Sequence, residues 1–271
     1  MLFLAGLGCL CGIVLSIASV VFQVDEDPRI EAVLDVLPGA NCGGCGYAGC
    51  SSYAAAVVND PNVGAGACVA GGAETSEKVG ELTGKSAGSA EPMISVRRCV
   101  KDDGQVALKY EYQGVPSCAA AHKMGGADAC GYSCLGFGDC VKACPFGAMI
   151  IYNGLVRIDP ALCIGCGVCV RTCPRGILEV IPANARVMIY CSSIDKGKAV
   201  SSVCKAGCIS CLACTKKCPA KAIKLVDKKI VIDHKKCLEY GDECEMACLK
   251  ACKKRKIIRV RGNIAEMKQA A

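Results

Sequence analysis

Cys163-Ile164-Gly165-Cys166-Gly167-Val168-Cys169-Val170-Arg171-Thr172-Cys173-Pro174 decides the fold of this chain. The run reads CxxCxxCxxxCP, in which three thiolates converge on one [4Fe-4S] cubane and the fourth, beside the proline, reaches over to a neighbouring cluster. One such run is half of a unit, so a partner run must lie nearby.

The partners come as a duplication. A shift of 74 residues maps Cys144 onto Cys218, Asp159 onto Asp233 and Cys163 onto Cys237, which marks an internal repeat. Phrases recur around it: Leu155-Val156-Arg157-Ile158-Asp159 matches Ile230-Val231-Ile232-Asp233. Each half reads as short strand, cysteine loop and short helix, repeated twice, the layout of a bacterial ferredoxin.

The four runs differ. That of Cys208, Cys211, Cys214 and Cys218 is regular, with an extra Cys204 upstream. The run ending at Cys144 has Phe137 where its duplicate has Cys211, yet keeps Cys130 at the place of Cys204, so Cys130 is expected to join Cys134 and Cys140 as a ligand. The final run, Cys237, Cys244, Cys248 and Cys252, is longer than its counterpart and has Lys253 in place of proline. Crossing the fourth ligands, as two-cluster ferredoxins do, predicts four sites. They are Cys130, Cys134, Cys140 with Cys173; Cys163, Cys166, Cys169 with Cys144; Cys208, Cys211, Cys214 with Cys252; and Cys237, Cys244, Cys248 with Cys218.

Upstream, Asn41-Cys42-Gly43-Gly44-Cys45-Gly46-Tyr47-Ala48-Gly49-Cys50, with Cys68 further on, predicts a separate [4Fe-4S] site of Cys42, Cys45, Cys50 and Cys68. Its glycines let the backbone wrap a cubane. Five clusters then use 20 of the 26 cysteines. Cys9, Cys11, Cys99, Cys118, Cys191 and Cys204 remain. The last four could build a sixth cluster, but they read as buried inert thiols.

Composition agrees with metal sites. The 52% apolar fraction falls to roughly 42% without cysteine, and there is no Trp and only four Phe, so bound cofactors must carry part of the folding free energy. Disulfide frameworks do not need triplets at gaps of two followed by Cys-Pro. Zinc sites draw on two separated pairs, whereas four consecutive ligands closing on proline indicate iron and sulfur. The formal charge of +7 treats thiols as neutral. Five clusters at about −2 each would bring the chain to about −3, so its basic character is no argument for nucleic acid.

Residues 1–22 carry no charge and are long enough to cross a bilayer as one helix. Gly8 and Gly12 offer a small-xxx-small face to another helix, and no positive n-region marks a cleaved signal. Oxygen-sensitive clusters and free thiols place the bulk of the chain on the cytoplasmic side of the membrane. Residues 28–70 form the first cluster domain, with helices expected over Arg29–Leu37 and Ser51–Val58. Residues 71–92 read as a linker in which Glu77, Lys78, Glu81 and Lys85 make a solvated face. Ile94–Val100 and Val106–Tyr112 read as a hairpin around Asp102-Asp103-Gly104, within a segment 93–129. Ferredoxin-like modules at 130–182 and 204–260 flank a connecting segment at 183–203, and 261–271 is a tail. His122 and His234 read as surface residues. The fold class is α+β: one transmembrane helix, a small Gly/Cys-rich [4Fe-4S] domain and tandem two-cluster modules.

An uncharged N-terminal span, Asp25-Glu26-Asp27-Pro28-Arg29 and Leu37-Pro38-Gly39-Ala40-Asn41-Cys42 together resemble the B subunits of Rnf electron transport complexes. The likeness continues through Gly136-Phe137-Gly138-Asp139-Cys140 to Cys144-Pro145-Phe146. The resemblance implies a membrane ferredoxin:NAD⁺ oxidoreductase that couples electron transfer to Na⁺ or H⁺ translocation, in which this chain takes electrons from reduced soluble ferredoxin and passes them to other Rnf subunits. The chain has no GxGxxG after a strand, no acid–base dyad and no flavin motif, so NAD⁺ reduction and ion pumping would sit on those partners. The basic run Lys253-Lys254-Arg255-Lys256 is a candidate surface for acidic ferredoxin or anionic lipid. A cluster-assembly scaffold, or a relay to another acceptor such as a redox regulator or nitrogenase, is the alternative.

Overall fold

Short aliphatic stretches between cysteine loops can make only short strands and helices, and the computed structural model of the chain is built of these. It describes residues 2–21, 27–88, 91–101, 106–252 and 255–260, with side chains of the first helix described at 6, 8 and 10–18. The expected turn at 102–104, Lys253, Lys254 and the tail 261–271 lie outside the described residues.

Helix α1 (Leu2–Val21) has no acidic residue in its first turn and no basic residue in its last. Leu10, Ile13, Val14, Leu15 and Ile17 are all more than half exposed. Among the described residues, no helix is long and apolar enough to cross a membrane.

Helix α2 (Pro28–Val36) starts at Asp27, whose side chain accepts from the Arg29 amide, with proline in the first turn where its missing N–H costs nothing. It packs on α3 (Cys50–Asn59) and α4 (Gly72–Thr83) around Val33, Tyr53, Val57 and Val79. The expected linker at 71–92 is therefore a packed helix over most of its length. Ser76 and Gly80 are buried beside Val79, and such small residues let α4 approach closely with little apolar surface of its own. Lys85 is not on a solvated face either. Its ammonium donates to the carbonyls of Val57, Asp60 and Val63 at 2.6 to 2.9 Å, satisfying the orphan acceptors at the end of α3.

The first module begins earlier than expected, at β1 (Met93–Arg97). After α5 (Cys118–Lys123) and α6 (Asp139–Lys142), strands β2 (Met149–Tyr152) and β3 (Leu155–Ile158) form a hairpin. Its two-residue turn, Asn153-Gly154, has φ of 48° and 65°, the left-handed pair that suits strand twist. Helix α7 (Val168–Thr172) and β4 (Leu178–Pro182) follow, and β4 pairs antiparallel with β1 from Met93↔Pro182 to Arg97↔Leu178. β1 thus does not form a hairpin with 106–112: Val106 bridges to Cys204 and Leu108 to Asp128 instead.

The second module repeats this plan. Strand β5 (Val187–Ile189) lies inside the expected connecting segment. Helices α8 (Gly197–Val203) and α9 (Ala213–Lys217) precede the hairpin β6 (Ile223–Val226) and β7 (Lys229–Ile232), displaced by 74 residues from β2 and β3. Helices α10 (His234–Tyr240) and α11 (Ala247–Ala251) lead to β8 (Ile258–Val260), which pairs antiparallel with β5.

The two modules share a seam. Val100, just after β1, is buried in the core of the second module with Val187, Ile223, Ile230 and Ile257. Arg98, 8% exposed, donates to Glu179 in the first module at 3.1 Å and to the Ile230 carbonyl in the second at 2.6 Å. His234 lines a cavity at this seam with Val96, Glu179, Ile181 and Ile189, and so is not the surface residue expected.

Candidate metal centres

In the first domain, Leu37 ends α2 and the chain enters the loop of Cys42 and Cys45. Asn41 holds that loop in place: its Oδ1 accepts the Cys50 amide at 2.8 Å and its Nδ2 donates to Gly39 O at 3.2 Å. Asn41 thereby caps α3 from nine residues away, since Gly49 has no side chain to do so. Cys68 follows the 3₁₀ turn Ala65–Ala67, which the Tyr53 hydroxyl anchors at the Ala65 carbonyl at 2.8 Å. Burial pushes the Cys68 thiol up, and Cys45 and Cys50 add to it. Cys45, Cys50 and Cys68 are thus neighbours packed on one apolar core, while Cys42, at the outer end of the loop, acts on Cys166 of the next module.

Cys144, Cys163, Cys166 and Cys169 line one cavity of ≈ 300 Å³ between β1, the β2 strand and α7. The Ser95 amide donates to Cys163 Sγ at 3.2 Å, and the Cys169 thiol donates to Ser95 Oγ at 3.2 Å. Gly165 (φ +72°) passes so near β1 that an added Cβ would sit 2.6 Å from the Met93 backbone. All four predicted residues come together here.

The second cavity of this module, ≈ 360 Å³, is lined by Cys134, Cys140 and Cys173 as expected, but its fourth thiol is Cys118. Cys130 is not part of its lining. Cys118 opens α5, and Asp139 fixes that start: its Oδ2 accepts Ser117 Oγ at 2.9 Å and the Ala119 amide at 3.0 Å. Burial works against it, yet the amides of Ala119 and Cys118 and the Ser117 hydroxyl hold the Asp139 carboxyl below its ordinary value. The Cys140 thiol is pushed up to about 12 by burial, then by Cys134, Cys173 and Cys118. Phe137 occupies the position of the missing cysteine and packs on Tyr112, ring centroids 5.3 Å apart. The sequence did carry a weak signal for Cys118, since the 74-residue shift takes it to Ser192, one residue from Cys191.

In the second module, Cys218, Cys237, Cys244 and Cys248 line a cavity of ≈ 410 Å³. The longer final run is taken up by α10 and the turn after it, which Arg186 clamps by donating to Gly241 O and Asp242 Oδ1. Burial pushes the Cys248 thiol up to about 11, with Cys218, Cys237 and Cys244 contributing. Cys208, Cys214 and Cys252 pack on the same core, where α9 meets α11. Burial raises Cys208 to about 11, followed by Cys191, Cys214 and Cys252. Cys211, which acts on Cys214, is exposed.

A set of four thiols around an apolar cavity suits a [4Fe-4S] cubane in both donor type and donor number. Among the described residues, no three Cys, His, Asp or Glu close on a point that a single metal ion would occupy. Burial disfavours thiolates, so these sets ionise only against a cationic core, and loading them releases protons.

Comparison with known proteins follows the same lines. A family model described as "Putative Fe-S cluster" matches residues 37–63, and one described as "4Fe-4S binding domain" matches residues 155–178. The chain is 48% identical over 248 residues to the B subunit of the proton-translocating ferredoxin:NAD(+) oxidoreductase complex of Clostridium ljungdahlii, covering 91% of this chain and 86% of that protein. It is 40% identical over 256 residues to the B subunit of the ion-translocating oxidoreductase complex of Methanosarcina acetivorans, covering 94% and 95%. To the B subunit of the Na(+)-translocating ferredoxin:NAD(+) oxidoreductase complex of Acetobacterium woodii it is 40% identical over 247 residues, covering 89% and 74%.

Proposed function

This chain belongs to the family of B subunits of ion-translocating ferredoxin:NAD(+) oxidoreductase complexes, and from that premise we propose that it is the complex's membrane-anchored electron relay. It takes electrons from reduced soluble ferredoxin and hands them to the other subunits, which carry NAD⁺ reduction and Na⁺ or H⁺ translocation. Its anchor is the uncharged stretch 1–22, whose full length suffices for a single span of the bilayer although its described part alone does not, with the bulk of the chain on the cytoplasmic side.

Five [4Fe-4S] clusters occupy five thiol sets. These are Cys42, Cys45, Cys50, Cys68; Cys144, Cys163, Cys166, Cys169; Cys118, Cys134, Cys140, Cys173; Cys208, Cys211, Cys214, Cys252; and Cys218, Cys237, Cys244, Cys248. A bound cluster supplies reversible one-electron exchange with little rearrangement of its ligands. The protein's part is to hold the sulfurs, to exclude water with aliphatic linings such as Ile151, Val156 and Leu178, and to place hydrogen bonds such as Ser95 N–H to Cys163 Sγ that set potential.

The observation that carries the reading is continuity between sets. A Cβ on Gly44, in the Cys42–Cys45 loop, would lie 3.1 Å from Cys166 Cα, so the loop that carries the first thiol set touches the first module at one of that module's proposed ligands. The test is anaerobic titration of the purified full chain with reduced ferredoxin, followed by EPR. Reversible reduction with iron retained is the expected result. Clusters that dissociate to an apo-acceptor protein during the titration would instead identify an assembly scaffold.

A further inference from the structure

We propose that Cys99, Cys130, Cys191 and Cys204 hold a sixth [4Fe-4S] cluster in the seam between the two modules, an assignment that rests on the relay reading above. Three independent features of the backbone bring these cysteines together. The segment 106–109 is sandwiched between two others. On one side Leu108 pairs with Asp128, and the amides of Ala129 and Lys109 donate to Ala107 O and Ala127 O at 2.7 Å each. On the other side Val106 pairs with Cys204, and the Ala107 amide donates to Val203 O at 3.2 Å. Continuing the first register by two residues puts Cys130 opposite Val106, so Cys130 and Cys204 flank the same residue on the same face.

Cys191 reaches this place from β5. Its neighbour Ser192 donates to the Tyr132 carbonyl at 3.3 Å, two residues from Cys130. Cys99 reaches it from β1, held on both sides: Arg98 donates to Cys191 O at 3.2 Å, and Lys101 bonds Asp128 at 2.7 Å and the Cys134 carbonyl at 3.3 Å. Asp128 in turn accepts from Ser133, whose hydroxyl also reaches Cys130 O. Two of these cysteines come from each module's share of the seam.

The thiols also sense one another. Beyond the burial that raises Cys99, Cys130 and Cys204, Cys130 feels Cys204 and Cys191, Cys204 feels Cys191, and Cys99 feels Cys134 and Cys130. Cys191 Sγ accepts the Cys208 amide at 3.4 Å, just as Cys163 Sγ accepts that of Ser95, and amide bonds of this kind accompany cluster sulfurs. Arg255 brings a guanidinium to the Cys204 carbonyl at 3.4 Å, offsetting the charge of about −2 that four thiolates and a cubane carry. Cys130 thus neighbours each of the other three thiols, an arrangement inert buried thiols would not need.

The site's place gives it a role. Cys99 adjoins Cys134 of one set, and Cys191 is bonded by Cys208 of another, so the seam cluster closes the step between the rows of the two modules.

Native mass spectrometry with iron and sulfide analysis of the anaerobically purified full chain tests the proposal. Six clusters and about 24 iron atoms per chain are expected, against about 20 for five. Cys99→Ala and Cys204→Ala, one on each side of the seam, should each bring the count to about 20. A wild-type chain with about 20 iron atoms, with or without one zinc, or variants that keep about 24, would overturn the sixth site and leave the five-cluster relay standing. A chain without iron would overturn both. The count decides even where a variant does not fold, because the five sets and the seam leave only Cys9 and Cys11 of the 26 cysteines unassigned.

Discussion

Arg171 Nη2 donates a 2.8 Å hydrogen bond to the carbonyl oxygen of Cys42, across 129 residues of sequence. It ties α7, which carries Cys169, to the loop that carries the first thiol set, at the place where Gly44 touches Cys166. The bond is exposed, so Arg171→Ala should cost about 0.5 kcal/mol in overall stability. Its larger expected effect is kinetic, because electron exchange depends steeply on separation. In rapid-freeze EPR after mixing with reduced ferredoxin, the first-domain signal should equilibrate more slowly with the others in Arg171→Ala, at unchanged iron content. Equal rates would show that Gly44 packing alone sets the distance.

Cys118 and Phe137 make a reciprocal pair. The cavity of Cys134, Cys140 and Cys173 takes its fourth thiol from Cys118, while the regular position in the run holds Phe137. Cys118→Ala should therefore remove about four iron atoms per chain. Adding Phe137→Cys in that background should restore them, at some expense from the lost contact with Tyr112. Iron analysis of the single and double variants checks both steps. A Cys118→Ala chain with its full iron complement would return the role to Cys130.

The run Cys163 to Cys173 was legible because thiols that share a cubane recur at short fixed spacings, whereas Cys237, Cys244 and Cys248 were legible through the 74-residue duplication and converge despite their longer gaps. Cys118 was not legible from spacing, since it enters its cavity from a separate helix that Asp139 positions through space. The β1–β4 pairing was missed for a related reason: it is non-local, while the turn-forming composition of Asp102-Asp103-Gly104 points to a local partner. Helix α4 escaped notice because its apolar stripe is little more than Val79 and Leu82, with Ser76 and Gly80 providing close contact in place of hydrophobic bulk. The duplication, by contrast, carried over to the hairpins residue for residue.

That duplication exposes a local conflict. The β2–β3 turn uses Asn153-Gly154, whereas the equivalent β6–β7 turn uses Asp227-Lys228, with φ of 48° and 64°. A lysine in the left-handed region costs about 1 kcal/mol relative to glycine, and Lys228 is exposed with no packing to lose. Lys228→Gly should accordingly stabilise the second module by about 1 kcal/mol. Thermal unfolding of the anaerobic holoprotein would register it as a higher midpoint, and a lower midpoint would mean the turn is set by contacts other than its own backbone.

His234 should make stability depend on pH. Its ring is half-buried at the seam, its Nδ1 is buried without a hydrogen-bond partner among the described residues, and burial is the first cause of its lowered pKa. Glu179 and Asp233 pull the other way, and Arg98 adds to the lowering. A base whose folded pKa lies below its unfolded value near 6.5 favours the folded state fully above that value, and the contribution is lost as pH falls through the folded pKa. Between pH 7.5 and 5.5 the holoprotein should therefore lose stability, with part of the loss due to this one imidazole. His234→Gln keeps a polar group of similar size but cannot take up the proton, so its unfolding midpoint should fall less steeply over the same interval. Parallel slopes for the two proteins would place the pH dependence on other groups that acid can protonate, the carboxylates of Glu179 and Asp233 beside the ring or the cluster sulfurs.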